Sequence, residues 1–184
     1  MEHEKKIKLH LGCGKRSIPG FIHIDKDPYA HLDYQRDIKD LSIFENNSVD
    51  LIYSCHCFNY LDDDEAKIAL KEWHRALKRG GILRIAVPDF AAIVEAYLKF
   101  KDLKLLKRLI TGYYKSKSDV DYHRAVYDEK TLSNLLLECG FSRVLKYDWR
   151  RTSHADHDDY SQAYLPHMDK EHGLHMSLNL EAVK

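Results

Sequence analysis

The sequence predicts an α/β fold with a doubly wound, mainly parallel sheet. Strand-like runs alternate with helix-like runs along most of the 184 residues, which is typical of parallel sheets. Residues 49–58, VDLIYSCHCF, are apolar on both faces, as expected for a central strand that helices cover. The last two strand-like runs follow each other with no helix between them, so one of them is expected to be antiparallel.

The composition favours a single domain over residues 1–184. The chain carries 29 basic and 29 acidic residues, and this balance argues against a nucleic-acid partner. No apolar run is long enough to span a bilayer, and the start MEHEKKIK lacks the apolar core of a signal peptide. The four cysteines show no zinc or disulfide spacing, which favours a reducing compartment. We therefore expect a cytoplasmic protein without a membrane partner, and the sequence leaves homodimer formation open.

The first two strands lie close together in the sequence. The run 7–11 alternates apolar and polar residues, and the run 21–25, FIHID, ends in an acid. Only nine residues, 12–20, separate them, whereas a parallel crossover usually takes a dozen or more and contains a helix. We expect the first crossover helix to be absent or reduced to one turn. One sheet face would then lie partly open to water and tolerate His10 and His23; buried, hydrogen-bonded histidines are the alternative.

Residues 61–81, LDDDEAKIALKEWHRALKRGG, form the clearest helix in the sequence. Apolar residues recur on one face, and the acidic residues at the start suit a helix N-terminus. Asp62 or Asp63 can cap this helix, and Gly80 can end it. The strand GILRIAVPDF follows and closes at Pro88.

The second half of the chain continues the alternation. Residues 90–110 are expected to be helical, in one or two pieces, and residues 128–139 form a further helix. Between them, residues 111–124 are expected to form a loop. The runs 142–150 and 174–184 are the two final strands.

The glycine turn after the first strand is the first candidate site. Gly12 and Gly14 flank Cys13, and glycine allows positive φ and close approach of a ligand to the main chain. A dinucleotide-binding turn would have a third glycine where Ser17 stands and an acid about 20 residues further on. Here Asp25 follows Gly14 by only 11 residues. A nicotinamide cofactor is therefore disfavoured.

Two acids extend this candidate site. Asp25 ends the second strand, where its carboxylate can accept both hydroxyls of a ribose. Asp37 and Ile38, near a weak short strand, suit an adenine: the carboxylate takes the exocyclic amine and the aliphatic chain packs on the ring. Each acid alone is more often a surface or turn residue. The glycine turn and the two acids in this order favour an adenosyl ligand.

Six segments together resemble the class I, Rossmann-like S-adenosylmethionine-dependent methyltransferases. They are LHLGCG, FIHID, RDIKDL, VDLIYSCHCFNYL, ALKEWHRALKRGGILRIAVPDF and LLLECGF, and they cover nearly the whole chain. The resemblance is closest to a small group often labelled predicted methyltransferases. It implies S-adenosylmethionine as the cofactor, no metal, and a seven-stranded sheet with an antiparallel last strand.

The resemblance also implies roles for individual residues. The glycine turn would lie near the methionine part of the cofactor, and the end of the strand within residues 49–58 would lie near the sulfonium. Asp25 and the residue after it would lie near the ribose. Asp37 and Ile38 would lie near the adenine. These cofactor-binding residues are Gly12, Cys13, Gly14, Asp25, Lys26, Asp37, Ile38 and Ser54. Asn59 and Tyr60 stand where relatives often carry a Glu-His pair, so any catalytic role of that pair stays open.

Methyl transfer from a sulfonium depends mainly on alignment of the nucleophile, the methyl carbon and the leaving sulfur. A hydroxyl acceptor also needs a base, and histidine suits that role. His56, directly after a strand at the cofactor edge, and His123, in a polar and aromatic cluster, are the candidate bases. Arg124 is the candidate for positioning the substrate. Hydrogen-bonded loop residues are the alternative interpretation of all three.

Two segments are candidates for covering the pocket. Residues 90–122 follow the strand that ends at Pro88 and are a candidate substrate lid, although a packing helix is the alternative. Residues 151–174 form a long polar connection that we expect to fold back over the active edge. This connection contains His154 and Asp156, which are metal-ligand types, but their spacing matches no standard site.

The sequence therefore predicts an S-adenosylmethionine-dependent methyltransferase that modifies an oxygen or nitrogen of a small-molecule or carbohydrate-like acceptor. The alternative is an S-adenosylmethionine-binding protein without methyl transfer, regulatory or part of a complex. The shortened crossover and the Asn59–Tyr60 pair keep this alternative open. A nicotinamide enzyme is a third and weaker hypothesis.

Overall fold

In the computed structural model, which describes residues 6–116 and 119–184, strands and helices alternate along the chain. The strands are β1 (Lys8–Leu11), β2 (Ile22–Asp25), β3 (Tyr34–Gln35), β4 (Val49–Cys55), β5 (Leu77–Pro88), β6 (Gly112–Ser116), β7 (Asp119–Tyr122), β8 (Ser142–Lys146), β9 (Tyr164–Leu165), β10 (Leu174–His175) and β11 (Ser177–Val183). The α-helices are α1 (Asp63–Ala76), α2 (Phe90–Phe100), α3 (Leu103–Thr111) and α4 (Glu129–Glu138). None of the helices within this part of the chain is long and apolar enough to cross a bilayer.

Seven of these strands form one sheet in the order β3-β2-β1-β4-β5-β11-β8. The first five strands in this order, from β3 at the edge to β5, are all parallel to one another. Strand β11 runs antiparallel to both β5 and β8. The predicted fold class, including the antiparallel last strand, is therefore confirmed. Strand order reverses between β1 and β4, and ligands of such sheets bind beyond the carboxyl ends of the strands at this point.

Helix α1 packs on the sheet and also holds the loop that follows β3. Asp62 and Glu65 form a capping box at its N-terminus, which satisfies two backbone N–H groups. Leu70 and Trp73 are fully buried on its inner face. The indole Nε1 of Trp73 donates a 2.7 Å hydrogen bond to the carbonyl oxygen of Ile38. The position of this loop is thus fixed by the helix.

The helix ends earlier than the sequence predicts. Termination at Gly80 is wrong, because α1 ends at Ala76 and β5 begins at the next residue. Strand contacts favour the extended conformation beyond this point. The Lys78 Nζ lies 3.1 Å from a carboxylate oxygen of Asp50, and the Gly80 N–H donates to the Lys184 carbonyl oxygen at 2.9 Å.

The segment between β1 and β2 contains no helix, as the short spacing predicts. Turns take its place: the Arg16 N–H donates to the Cys13 carbonyl oxygen, and the Phe21 N–H donates to the Ile18 carbonyl oxygen. A hydrogen bond of 2.8 Å from the Gly12 N–H to the Ile24 carbonyl oxygen joins this short connection to β2.

The prediction of a sheet face open to water is wrong. His10 and His23 are only 1 % and 5 % exposed. Ile18 and Phe21, from the short connection, pack with Tyr53 on this face. The imidazole of His23 accepts the Ile18 N–H at 2.8 Å, so at least this histidine is hydrogen-bonded in the interior. Apolar side chains of this short connection therefore cover part of the sheet face that a crossover helix would otherwise cover.

A segment near the C-terminus, residues 149–163, completes the cover over this face. The ring of His154 lies 4.4 Å from the ring of Tyr53, centre to centre, and His154 is 3 % exposed. The Tyr53 hydroxyl donates to a carboxylate oxygen of Asp159. The side-chain amide of Gln162 donates to two backbone carbonyl oxygens of the same segment, which holds it together. A segment far along the chain from β1 and β2 therefore buries the part of the sheet face that a crossover helix would otherwise bury.

The second half of the chain differs from the prediction in one element. Residues 90–110 form the two helices α2 and α3, in agreement with the sequence. The predicted loop 111–124 instead contains the antiparallel pair β6 and β7. Residues 117–118 lie outside the described part of the chain. The weak strand expected around Asp37 lies slightly earlier, at Tyr34–Gln35.

The buried histidines predict that stability falls as the pH drops below about 6.5, the ordinary value of a histidine pKa. Desolvation by burial lowers the pKa of His10 to about 3 and that of His154 to about 4. Below about pH 6.5 the unfolded chain binds protons that the folded chain excludes, so each residue removes about 1.4 kcal/mol of stability per pH unit. Urea unfolding between about pH 7.5 and pH 5 measures this slope.

The contribution of His154 can be isolated by comparing two substitutions. His154→Phe keeps a ring against Tyr53 and removes the titrating group, so the pH slope should become shallower. His172→Phe is the matched control, because the His172 side chain is 82 % exposed, and its slope should equal that of the wild type. Equal slopes for wild type and His154→Phe would contradict this account.

Candidate active site

The main cavity, of about 350 Å³, lies beyond the carboxyl ends of β1, β2 and β4. Its size falls within the range of small-ligand pockets, about 300–1,000 Å³. Nine of the eleven residues that the sequence singled out line this cavity: Gly12, Cys13, Gly14, Asp25, Lys26, Asp37, Ile38, His56 and Arg124. Ser54 and His123 are the two that do not. Short loops after three neighbouring strands thus bring residues from distant parts of the chain together.

The glycine turn requires glycine at its first position. Gly12 has a φ of +63°, and a Cβ atom there would lie 2.1 Å from the Cys57 Sγ. Gly14 has a φ of +55°, but a Cβ atom there would meet no described atom within 4 Å. The backbone at Gly14 is therefore open to a ligand, whereas Gly12 is needed for packing against Cys57.

Asp25 fixes the turn to the end of β2. Its Oδ2 accepts the Gly14 N–H at 2.8 Å, and its Oδ1 accepts the Asp27 N–H at 3.0 Å. The residue is only 7 % exposed. Each carboxylate oxygen has two lone pairs, so each retains an acceptor site for a further hydrogen bond from a ligand in the cavity.

The loop that carries Asp37 and Ile38 forms another wall of the cavity. Asp37 accepts the Lys39 N–H at 2.9 Å, and the Lys39 ammonium also pairs with Glu65 near the start of α1. The Ile38 side chain is 7 % exposed and belongs to the core. This wall therefore offers an apolar surface beside a carboxylate.

His56 lines the same cavity as the glycine turn and has a left-handed backbone conformation with a φ of +49°. This conformation is costly for a residue with a Cβ atom and often occurs at functional sites. The Nε2 atom lies 3.0 Å from the Ser177 Oγ, and the ring lies 5.3 Å from the ring of Tyr160. Desolvation, followed by the positive charges of nearby histidines and Arg16, lowers the pKa of His56 to about 3. The imidazole is therefore neutral at physiological pH.

Sequence reasoning missed Arg16, which lines the same part of the cavity. Its guanidinium lies over the Tyr160 ring at 4.6 Å, and its Nε donates to the Asp158 carbonyl oxygen at 3.2 Å. A cation over an aromatic face is a favourable arrangement. Nothing in the local sequence indicates this pair, because 144 positions separate Arg16 from Tyr160.

Arg124 lines the cavity, but its guanidinium is bonded to protein groups. Its Nε donates to the Tyr60 carbonyl oxygen at 2.7 Å, and its two terminal nitrogens pair with Asp62 and Glu65. These contacts tie the segment before α4 to the N-terminus of α1. A role in positioning the substrate stays a prediction.

His123 and Ser54 lie elsewhere. The ring of His123 lines a second cavity, of about 30 Å³, and its Nδ1 lies 3.2 Å from the Leu109 carbonyl oxygen. Its ring is 4.8 Å from the Tyr60 ring, which itself lines the main cavity. Ser54 is fully buried in β4. The roles predicted for both residues remain predictions.

The thiols near the cavity are poor candidates for nucleophiles. Cys13, Cys55 and Cys57 line it and are free cysteines. Desolvation, with the nearby charge of Asp25, raises the pKa of both Cys13 and Cys57 to about 12. They are therefore protonated at physiological pH. No group of three or more His, Cys, Asp or Glu side chains within residues 6–116 and 119–184 is arranged to hold a metal ion.

Comparison with known proteins gives a family match and many similar structures. Residues 9–85, which run from β1 into β5, match the family model described as a methyltransferase domain. No curated protein matches the chain. A SAM-dependent methyltransferase from Archaeoglobus fulgidus is 14 % identical with a TM-score of 0.58, and the alignment covers 97 % of this chain and 86 % of that one.

Two further structures show the same likeness. A SAM-dependent methyltransferase from Methanosarcina mazei is 16 % identical with a TM-score of 0.56, and the alignment covers 99 % of this chain and 94 % of that one. The 1,6-didemethyltoxoflavin-N1-methyltransferase of Burkholderia thailandensis, with bound 1,6-didemethyltoxoflavin and S-adenosylhomocysteine, is 12 % identical with a TM-score of 0.58. That alignment covers 97 % of this chain and 70 % of that one. At these identities the likeness shows the fold.

The packing of Gly12 against Cys57 predicts a specific pair of effects on stability. Gly12→Ala should lower the free energy of unfolding by about 2–4 kcal/mol, from the overpacked Cβ and the positive φ together. Gly14→Ala should cost only about 1–2 kcal/mol, since only its φ is unfavourable. Urea unfolding of both variants measures the difference.

A double-mutant cycle with Cys57→Gly checks the cause. Cys57→Gly removes the two atoms that the new Cβ would meet, so the double variant should recover part of the stability lost in Gly12→Ala. Strict additivity of the two substitutions would show that the close contact is not responsible.

Proposed function

We propose that this chain, a class I S-adenosylmethionine-dependent methyltransferase, transfers the methyl group to an oxygen or nitrogen of a small-molecule or carbohydrate-like acceptor. One observation carries the proposal: the glycine turn, the buried carboxylate of Asp25 and the neutral imidazole of His56 line the same cavity. A ligand held by the first two would therefore lie beside a group that can accept a proton.

The cavity residues fit the cofactor, which when bound supplies an electrophilic methyl group on a positively charged sulfur. Asp25 would hold the ribose hydroxyls with its remaining lone pairs, and Lys26 follows it on the same wall. The glycine turn, with Gly12, Cys13 and Gly14 in the cavity lining and an open backbone at Gly14, would face the amino-acid part. Asp37 and Ile38 would hold the adenine by a carboxylate and an apolar contact. These assignments agree with the donor and acceptor chemistry of each group.

The size and chemistry of the cavity support a small, polar acceptor. A volume of about 350 Å³ has to contain the cofactor and the reacting part of the acceptor, which leaves little room beyond the methyl donor. The wall around His56 carries a tyrosine ring, Tyr160, together with Arg16 and Asp159. The hydrogen-bonding groups of this wall suit a hydroxyl-rich molecule such as a sugar.

The geometry favours His56 over His123 as the base. His56 lines the main cavity together with the candidate cofactor-binding residues, whereas His123 lines the second, smaller cavity. Arg124, held by Asp62 and Glu65, would act mainly by keeping the adjacent wall in place.

The two candidate covering segments differ in their relation to the cavity. Residues 151–174 contribute Asp159 and Tyr160 to its lining, which supports the proposal that this segment covers the active edge. Within residues 90–122 no described residue lines the main cavity. Phe90 and Ile93 instead line the second cavity, so a lid role would require this segment to move.

The role proposed for Asp25 predicts a large loss of cofactor affinity on substitution. Asp25→Ala should weaken S-adenosylhomocysteine binding by about tenfold to 10²-fold, because charge-assisted hydrogen bonds contribute about 1.5–3 kcal/mol each. Calorimetric titration measures the dissociation constant. NAD, titrated in parallel, should give no binding.

Asp64→Asn is the matched control for this titration. Asp64 is exposed in the first turn of α1 and does not line the cavity, so its substitution should leave the affinity unchanged. Unchanged affinity in Asp25→Ala, or binding of NAD in place of S-adenosylhomocysteine, would move the cofactor site elsewhere. Far-ultraviolet circular dichroism establishes that each variant is folded.

The proposed acceptor class and base predict the outcome of an activity screen. With labelled S-adenosylmethionine, label should enter sugars or other small hydroxyl- and amine-bearing compounds, and not RNA or protein added in parallel. His56→Gln should lower kcat by about 10²-fold or more while S-adenosylhomocysteine affinity stays the same. His123→Gln should have the smaller effect. Label only in the macromolecules, or a larger effect at His123, would contradict the proposal.

A further inference from the structure

A chain of buried hydrogen bonds extends from His56 into the protein interior. The Nε2 of His56 lies 3.0 Å from the Ser177 Oγ, and the Ser177 Oγ lies 2.8 Å from the Asn179 Oδ1. The Asn179 Nδ2 then donates to the Ser161 carbonyl oxygen at 2.9 Å. Ser177 and Asn179 are both 4 % exposed. None of these partners was indicated by the sequence.

The direction of each hydrogen bond follows from the last acceptor. A backbone carbonyl oxygen can only accept, so the amide nitrogen of Asn179 must face Ser161 and the amide oxygen must face Ser177. The single hydroxyl proton of Ser177 therefore goes to Asn179, at 2.8 Å, in preference to the Val87 carbonyl oxygen at 3.4 Å. With that proton used, the Ser177 Oγ can only accept from His56.

We propose that Ser177 and Asn179 are positioning residues that hold the neutral His56 as the tautomer protonated at Nε2, which leaves Nδ1 as the proton acceptor for the substrate. The inference rests on the proposed function, in which a hydroxyl or amine is methylated in this cavity. It goes further by assigning the proton-accepting atom and two residues on β11 that fix it.

The other ring nitrogen is available for this role. Among residues 6–116 and 119–184, the His56 Nδ1 has no hydrogen-bond partner, and it is not enclosed by protein as the Nδ1 of His10 is. Since His56 lines the main cavity and its Nε2 is bonded to Ser177, Nδ1 is the ring nitrogen left to bond with a group in the cavity. The ring of His56 thus contacts the Ser177 hydroxyl through Nε2 and lies 5.3 Å from the ring of Tyr160, centre to centre.

The transfer step balances with this assignment. The acceptor oxygen or nitrogen forms a bond to the methyl carbon while the carbon–sulfur bond of the donor breaks, and its electron pair stays on the sulfur. The proton of the acceptor passes to Nδ1, so His56 becomes a cation that the Nε2–H bond to Ser177 stabilises. Loss of this proton to water restores the neutral ring.

Nuclear magnetic resonance of the histidine ring nitrogens tests the tautomer directly. In long-range proton–nitrogen spectra of the free, ¹⁵N-histidine-labelled protein, the His56 signals, assigned with His56→Gln, should show the pattern of an Nε2–H ring. In Ser177→Ala this ring should become a mixture of tautomers. A wild-type ring protonated at Nδ1 would overturn the proposal, and this readout does not depend on cofactor binding or activity.

Kinetics then separate positioning from a general structural effect. Ser177→Ala should lower kcat by about tenfold or more, with the KM for the acceptor and the affinity for S-adenosylhomocysteine within about twofold of wild type. Asn179→Ala should act in the same direction, and Ser177→Thr, which keeps a hydroxyl, should restore most of the rate. Ser142→Ala, the same change on the exposed strand β8, is the matched control. An undiminished kcat in Ser177→Ala would overturn the proposal, whereas a wild type unable to bind S-adenosylhomocysteine would overturn the proposed function alone.

Discussion

The hydrogen bonds from Asp25 to the backbone of the glycine turn are the constraint on which the rest of the site depends. The buried carboxylate holds the Gly14 N–H from one strand connection and the Asp27 N–H from the next. Charge-assisted bonds of this kind are stronger than bonds between neutral groups. They hold together a connection from β1 to β2 that contains no helix, and they leave an open backbone at Gly14 beside the carboxylate proposed to bind the ligand.

The missing helix has consequences for the whole active edge. Residues 149–163 cover the sheet face that the helix would cover, and the same segment supplies Tyr160 and Asp159 to the cavity. One segment therefore both covers the core and forms the proposed acceptor wall. Asp159 accepts hydrogen bonds from the Tyr53 hydroxyl on β4 and from the Ser161 N–H, directly after Tyr160. A substitution of Tyr53 should therefore also affect the position of Tyr160.

Local patterns in the sequence predicted the structural features that depend on interactions between residues close together in the chain. The alternation of strand-like and helix-like runs predicted the mainly parallel sheet, and the short spacing of the first two strands predicted that no helix connects them. The glycine turn and Asp25 predicted one wall of the cavity. The predicted end of α1 was wrong because the ion pair of Lys78 with Asp50 and the backbone hydrogen bond of Gly80 to Lys184 favour a strand over a helix that continues to Gly80. Arg16, Ser177 and Asn179 were not predicted, since their partners lie far away in the sequence and only tertiary packing brings them together.

In the proposed function, the open backbone of the glycine turn and the Asp25 carboxylate hold an adenosyl ligand beside His56. A crystal structure of the protein with S-adenosylhomocysteine measures this most directly. We expect both ribose hydroxyls within hydrogen-bonding distance of the Asp25 carboxylate and the sulfur on the side of the cavity that carries His56. An adenosyl group bound at any other place, or a ribose that faces away from Asp25, would contradict the account.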